Sequence, residues 1–216
     1  MNDVQFLRDA DVSLECRDSL LIRLQYDTNY VEGDSSYKFA YFHRIYEMMK
    51  VRLIEGASNS YIGSELNTFY NNYVQDSING NMLDAYKRLL KYNQLNNVLE
   101  SELQYYHGEI EINEMCRRMI NNPVYDNINM NTFNFVNAAF DNLLFRYPTE
   151  YEFDQVYTMI DDNTAQIVLG SSGNNKEDFT YIICDSREFY QGMIIWTYNT
   201  LLARNPTSVE VDLLMN

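Results

Sequence analysis

One phrase is written twice in this chain. Phe140–Asp154 reads FDNLLFRYPTEYEFD, and fifty-eight residues later Tyr198–Asp212 reads YNTLLARNPTSVEVD. Aligned without gaps, the two share seven of fifteen residues: Leu143/Leu201, Leu144/Leu202, Arg146/Arg204, Pro148/Pro206, Thr149/Thr207, Glu152/Glu210 and Asp154/Asp212. Each copy centres on Pro-Thr-x-x-Glu. A threonine at the N-cap accepts a hydrogen bond from the amide three residues on, and a glutamate at that position reaches back to the cap amide. Proline just before the cap stops the preceding helix from running on. The phrase therefore predicts helix, sharp corner, capped helix, with each cap worth ~1 kcal/mol. The leucine pairs are expected to fill the corner's core, and Arg146 and Arg204 to cap carbonyls at the end of the first helix. Arg146 with Glu152 and Arg204 with Glu210 are also conceivable as charged catalytic pairs. A structural corner accounts for every shared residue at once and is preferred.

Around these corners the periodicity is helical. Phe39, Phe42, Ile45, Tyr46, Met49 and Leu53 fall at spacings of three and four, lining one face of a helix capped by Ser35 or Ser36 and ended by Gly56. A second helix from about Tyr61 to Ser77 uses Ile62, Leu66, Phe69, Tyr70, Tyr73 and Val74. Asn79-Gly80 turns the chain into a long helix ended by Gly108, with Leu83, Tyr86, Leu90, Leu95, Val98, Leu99, Leu103 and Tyr106 as its expected buried stripe. Upstream, Leu14, Leu20, Leu21 and Leu24 mark a further amphipathic segment. Beyond Glu109 the segments shorten and the joints are rich in Asn; Pro123 interrupts any continuous helix there. Residues 161–178 form the longest non-periodic stretch, with Ser171–Asn175 expected as an exposed tip and Ile167–Leu169 either pairing briefly or packing. The last helix starts near Ser208 with nine residues to the end of the chain, so it is expected to dock firmly or to belong to a longer array. The fold class expected is all-α: a helical bundle over 1–108, then two related helix–corner–helix units over 109–216.

Charge narrows the partners. Against 16 Lys and Arg stand 31 Asp and Glu, a net −15. Such a field repels phosphate backbones and anionic lipid, so neither nucleic acid nor a membrane surface is an expected partner. No apolar run approaches the ~20 residues of a membrane span. The start of the chain lacks the regions of a signal peptide, so two compartments stay open: an extracytoplasmic one if a signal segment was removed, the cytoplasm otherwise. Cys16, Cys116 and Cys184 are scattered, odd in number and outside any CxxC, so buried free thiols are the expectation.

The chemistry-bearing patterns stay at the level of structure. His43 and His107 stand in no zinc spacing. Glu109, Glu111 and Glu114 open a helix, where negative charge suits the dipole. Asp161-Asp162-Asn163 and Asp126-Asn127 lack the spacing of an EF-hand, and Gly170–Asn175 lacks the lysine and the context of a phosphate loop. No catalytic residue, cofactor or metal site is assigned. Tyr70 and Tyr73, with Tyr105 and Tyr106, are left as core-edge or interface residues, since tyrosine joins an apolar body to a polar tip.

The phrase LLxRxPTxxE, with Asp185–Tyr190 and more loosely Asn121–Tyr125 ahead of the two copies, resembles helical repeats of uncharacterised bacterial families, and is distantly similar to a phrase in phycobilisome linker domains. The resemblance covers residues 116–216 at most. Phe145 and Ala203 stand where that pattern usually has glycine. It implies a helical repeat at a surface or in an assembly. The function expected is therefore a non-enzymatic protein-interaction or scaffold module, possible as a subunit of a larger bacterial assembly, with protein partners of unknown identity. The alternative is a cell-surface domain that binds a sugar or peptide, or hydrolyses one.

Overall fold

The computed structural model describes residues 37–215. The expectations at Leu14, Leu20, Leu21, Leu24, Cys16, Ser35 and Ser36 lie outside the described residues. Within them the chain is all-α, with 10 helices and a single two-stranded ribbon. The order is α1 (Tyr37–Ile54), α2 (Asn59–Ile78), α3 (Met82–His107), α4 (Ile112–Ile120), α5 (Pro123–Asn129), α6 (Thr132–Leu144), α7 (Glu150–Asp161), β1 (Gln166–Val168), β2 (Ser171–Gly173), α8 (Lys176–Cys184), α9 (Arg187–Leu201) and α10 (Ser208–Leu214). Two compact units divide it. One is His43–Ser186; the other takes, of the described residues, 37–42 and 187–215.

In the first unit α1 buries Ile45, Tyr46, Met49, Leu53 and Ile54. Gly56, at φ 70°, closes the helix by donating its amide to Lys50 O at 3.0 Å, six residues back. Lys50 itself is buried, and its Nζ donates to Glu47 Oε1 and Asn59 Oδ1, each at 2.9 Å. A short turn with Gly80 at φ 79° folds α2 and α3 back on one another as a helical hairpin. The stripe expected on α3 is only partly covered. Leu95 and Val98 are buried, but Leu83, Tyr86, Leu90 and Leu103 are exposed, while the small Ala85 and Ser101 are buried instead. Periodicity identifies a stripe; a neighbour must lie against it to bury it.

The Asn-rich joint at Pro123 is built around one side chain. Asn122 is 1% exposed; its Oδ1 accepts from the amides of Val124 and Tyr125, while its Nδ2 donates to the carbonyls of Arg118 and Met119. One amide thus satisfies orphan groups of two helices, the end of α4 and the start of α5. Between Arg117 and Arg118, Glu114 ties α4 to itself, and Arg118 reaches across to Gln104 Oε1 of α3 at 2.6 Å. The core beyond is aromatic: Phe135 meets Tyr125 edge-on at 5.5 Å, and Phe140 stacks on Phe179 with centroids 6.2 Å apart.

The ribbon corrects the expected tip. Gln166, Ile167 and Val168 pair antiparallel with Gly173, Ser172 and Ser171, so the turn itself is Leu169-Gly170, with φ of 49° and 83°. Two positive φ values in a two-residue loop are the pattern of a type I′ hairpin. Far from lying at a tip, Gly173 is buried, and Asn175 caps α8 by accepting from Asp178 N at 2.9 Å. In the second unit α9 buries Phe189, Gly192 and Met193, whereas α10 buries no residue and leaves Val209, Leu213 and Leu214 exposed.

Candidate functional site

The two corners share one geometry. Thr149 and Thr207 are N-caps in extended backbone, and both capping boxes are present. Glu152 Oε2 accepts from Thr149 N at 2.8 Å, and Glu210 Oε2 from Thr207 N at 2.7 Å. Each glutamate is also gripped by the arginine six residues before it. Arg146 donates to the two oxygens of Glu152 at 2.8 and 2.7 Å, and Arg204 to those of Glu210 at 3.0 and 2.7 Å. Such two-pronged pairs are the strong form of the charge-assisted bond. The Arg146 bonds, with help from Thr149, hold the Glu152 carboxyl down at about 2 against partial burial, and Arg204 with Thr207 does the same for Glu210. The guanidinium of Arg146 lies 5.2 Å from the ring of Phe140, and that of Arg204 lies 4.8 Å from Tyr198, the aligned position.

At the end of α6, Arg52 of α1 reaches two carbonyls of the last turn, its Nε donating to Asn142 O at 2.6 Å and its Nη2 to Asp141 O at 2.9 Å. Its guanidinium then lies 4.1 Å from the ring of Phe145. Phe145 and Ala203 have φ of 58° and 54°, the left-handed region that glycine enters at no steric cost. The departures of the two copies from glycine thus fall on the one backbone position that favours it. Leu143 and Leu144 are buried in the first corner, while Leu201 and Leu202 are half-buried in the second. Pro148 and Pro206 lie between helices in both.

The tyrosines divide. Tyr70 is exposed and meets Tyr73 at 6.2 Å and Tyr92 at 5.6 Å, on the α2–α3 hairpin. Tyr73, Tyr105 and Tyr106 are half-buried, and burial pushes the Tyr105 hydroxyl up to about 12. Further along the same hairpin is an apolar end, of which the sequence reading assigned Leu83, Tyr86 and Leu90 to a buried stripe. At its closed end Ile78, Met82, Leu83 and Tyr86 are 73, 66, 68 and 59% exposed, and Leu90 follows at 43%. Four of these five flank a single turn. The signal was present as a methionine and a leucine at the first turn of α3, beside the Asn-Gly that makes the end of a hairpin.

Titratable groups are engaged elsewhere by structure. The Cys116 thiol is buried against Met49, Sγ to Sδ 3.8 Å, and burial pushes it up to about 12. Burial likewise raises Cys184. Thiols so raised are poor nucleophiles. His43 pairs with Glu102, and His107 Nδ1 stands 3.9 Å from Glu109. Of the oxygen-rich loops, Asp161 takes the hydroxyl of Thr132 at 2.5 Å, and Asp126 pairs with Lys176. Among the described residues no three His, Cys, Asp or Glu side chains gather as a metal cage, and no helix is long and apolar enough to cross a membrane. No family model, curated protein or solved structure matches the chain. Geometry is therefore the ground for any functional reading.

Proposed function

We propose that the chain is a non-enzymatic protein-interaction module, and that it meets its partner through the closed end of the α2–α3 hairpin. The observation that carries this reading is the apolar tip, in which Ile78, Met82, Leu83 and Tyr86 stand more than half exposed around one turn. Contiguous large apolar side chains at a surface mark interaction sites, and methionine and tyrosine are enriched at the centres of interfaces. The hairpin supports the role mechanically. At about 1.5 Å per residue, α3 alone is about 39 Å long, a stiff support for the tip. The corners suit the same role: each spends its arginine and glutamate on holding two helices at a fixed turn. Their phrase fits the helical repeats it resembles, so a subunit of a larger bacterial assembly is the setting we propose.

The test is chromatography with mass measurement on protein taken from its native source under mild conditions. Wild type is expected to co-elute with a defined partner, and the Met82→Lys, Leu83→Lys double variant to run alone at 25.6 kDa with unchanged helicity. Both side chains are solvent-facing, so the folded state should lose less than about 0.5 kcal/mol. A wild-type protein that runs alone, or a partner that stays with the variant, overturns the proposal.

A further inference from the structure

In a molecule of net charge −15, one cleft reverses the sign. It lies within the His43–Ser186 unit and encloses about 470 Å³, in the range of small-molecule sites. Lys87, Arg88 and Lys91 enter from one turn of α3, and Lys176 enters from the start of α8. Against these four cations the lining holds three carboxylates, Asp84, Asp126 and Glu177. Over the whole chain acids outnumber bases by 31 to 16. The cleft thus concentrates what the rest of the molecule is short of.

The three cations of α3 are loosely engaged, whereas Lys176 is held by Asp126 and lies 4.4 Å from the ring of Phe135. Lys87 makes no ion pair among the described residues. Arg88 Nε stands 3.7 Å from Asp76, beyond a good hydrogen bond, and Lys91 Nζ lies 5.6 Å from the ring of Phe69. Lys176 pairs with Asp126, and these two residues also border a second recess of about 220 Å³ with Asn129, Asn131 and Phe135 on its walls. In the cleft itself Gln94 and Asn121 add amides, Nε2 to Oδ1 3.5 Å apart.

We propose that this cleft binds a small polyanion through phosphate oxygens. Lysine is a compact point charge with three rotatable donors that serves as a phosphate binder, and the fork of Arg88 can grip two phosphate oxygens at once. Cations on two separate elements call for a ligand with more than one negative charge. Size follows from where the charges lie: over the surface at large a ligand comes within a Debye length, ~10 Å, of mostly negative groups, and in the cleft within that distance of the positive ones. A nucleic acid or an anionic bilayer is too large to escape the first; a ligand that fits the cleft feels the second.

Calorimetric titration with tripolyphosphate, at low and at physiological ionic strength, tests this. Wild type is expected to show one saturable site that weakens with salt. The Lys87→Gln, Lys91→Gln variant, and separately Lys176→Gln, should each bind about tenfold or more weakly with unchanged circular dichroism. Arg44→Gln, on α1 and outside the cleft, should bind as wild type. Absence of saturable binding at low ionic strength overturns the proposal. So does equal weakening in Arg44→Gln, which would mean diffuse charge, and so does citrate binding as tightly as tripolyphosphate, which would deny the phosphate preference.

Discussion

Phe145 and Ala203 occupy the same place in the two corners under different constraints. Both sit at positive φ, where an L-residue loses ~1–2 kcal/mol relative to the right-handed region. Glycine would relieve that strain, at about 0.4–1 kcal/mol of extra disorder in the unfolded chain. Ala203 is exposed and gives up little when shortened, so Ala203→Gly is expected to stabilise by about 0.5 kcal/mol. The Phe145 ring carries the Arg52 guanidinium at 4.1 Å, so Phe145→Gly loses a cation–π contact and the packing around it. It should destabilise by about 1 kcal/mol. Urea melts of the two variants would show opposite signs; equal signs would mean that backbone strain, or packing, dominates both sites. Only the glycine-like position was expected beforehand, because the repeats that the phrase resembles usually have glycine there. The arrival of Arg52, from far earlier in the chain, was not.

Elements differ in how much of themselves they announce. The corners were legible because a capping box is chemistry confined to four residues. The grip of Arg146 and Arg204 on their glutamates was one of two readings and not the preferred one, since a flexible side chain at six residues' distance has several carbonyls and one carboxylate within reach. That grip has a pH signature. Each glutamate is held at about 2 in the folded chain, against an ordinary 4.5. A lowered folded value means that the stabilisation is present above about pH 4.5 and is lost as pH falls toward 2. Glu152→Gln should therefore melt below wild type at neutral pH and converge with it between pH 4.5 and 2, as followed by urea midpoints; a constant gap would place the bond's value elsewhere than in its charge. The ribbon shows the reverse case. Three-residue strands cannot display alternation, and a leucine at positive φ does not advertise a turn. Yet the ribbon is sterically exact where it meets α8. A Cβ on Gly173 would fall 2.6 Å from Asp178 Cβ and 3.0 Å from Ile182 Cδ1. Gly173→Ala is expected to cost about 1–3 kcal/mol by calorimetry, and a neutral outcome would mean that α8 moves freely against the ribbon.

For the molecule as a whole, the surface combines strong net repulsion with local exceptions to it. Fifteen uncompensated negative charges repel a second copy of the chain, a term that opposes self-association through the apolar tip. Leu83 and Tyr86 of the tip were misread as core, and the cleft was not read at all. The first needed knowledge of what does not lie against α3. The second needed Lys176 brought beside Lys87 from far along the chain, although the basic run at 87–91 is the densest in the sequence. The buried thiols turn this same enclosure into an instrument. Cys116 and Cys184, walled in on different helices of one unit, cannot meet a maleimide until that unit opens. Peptide-resolved labelling at these two positions is thus a clock. Equal rates would mean that the unit opens all at once, and unequal rates would reveal which helix leaves first.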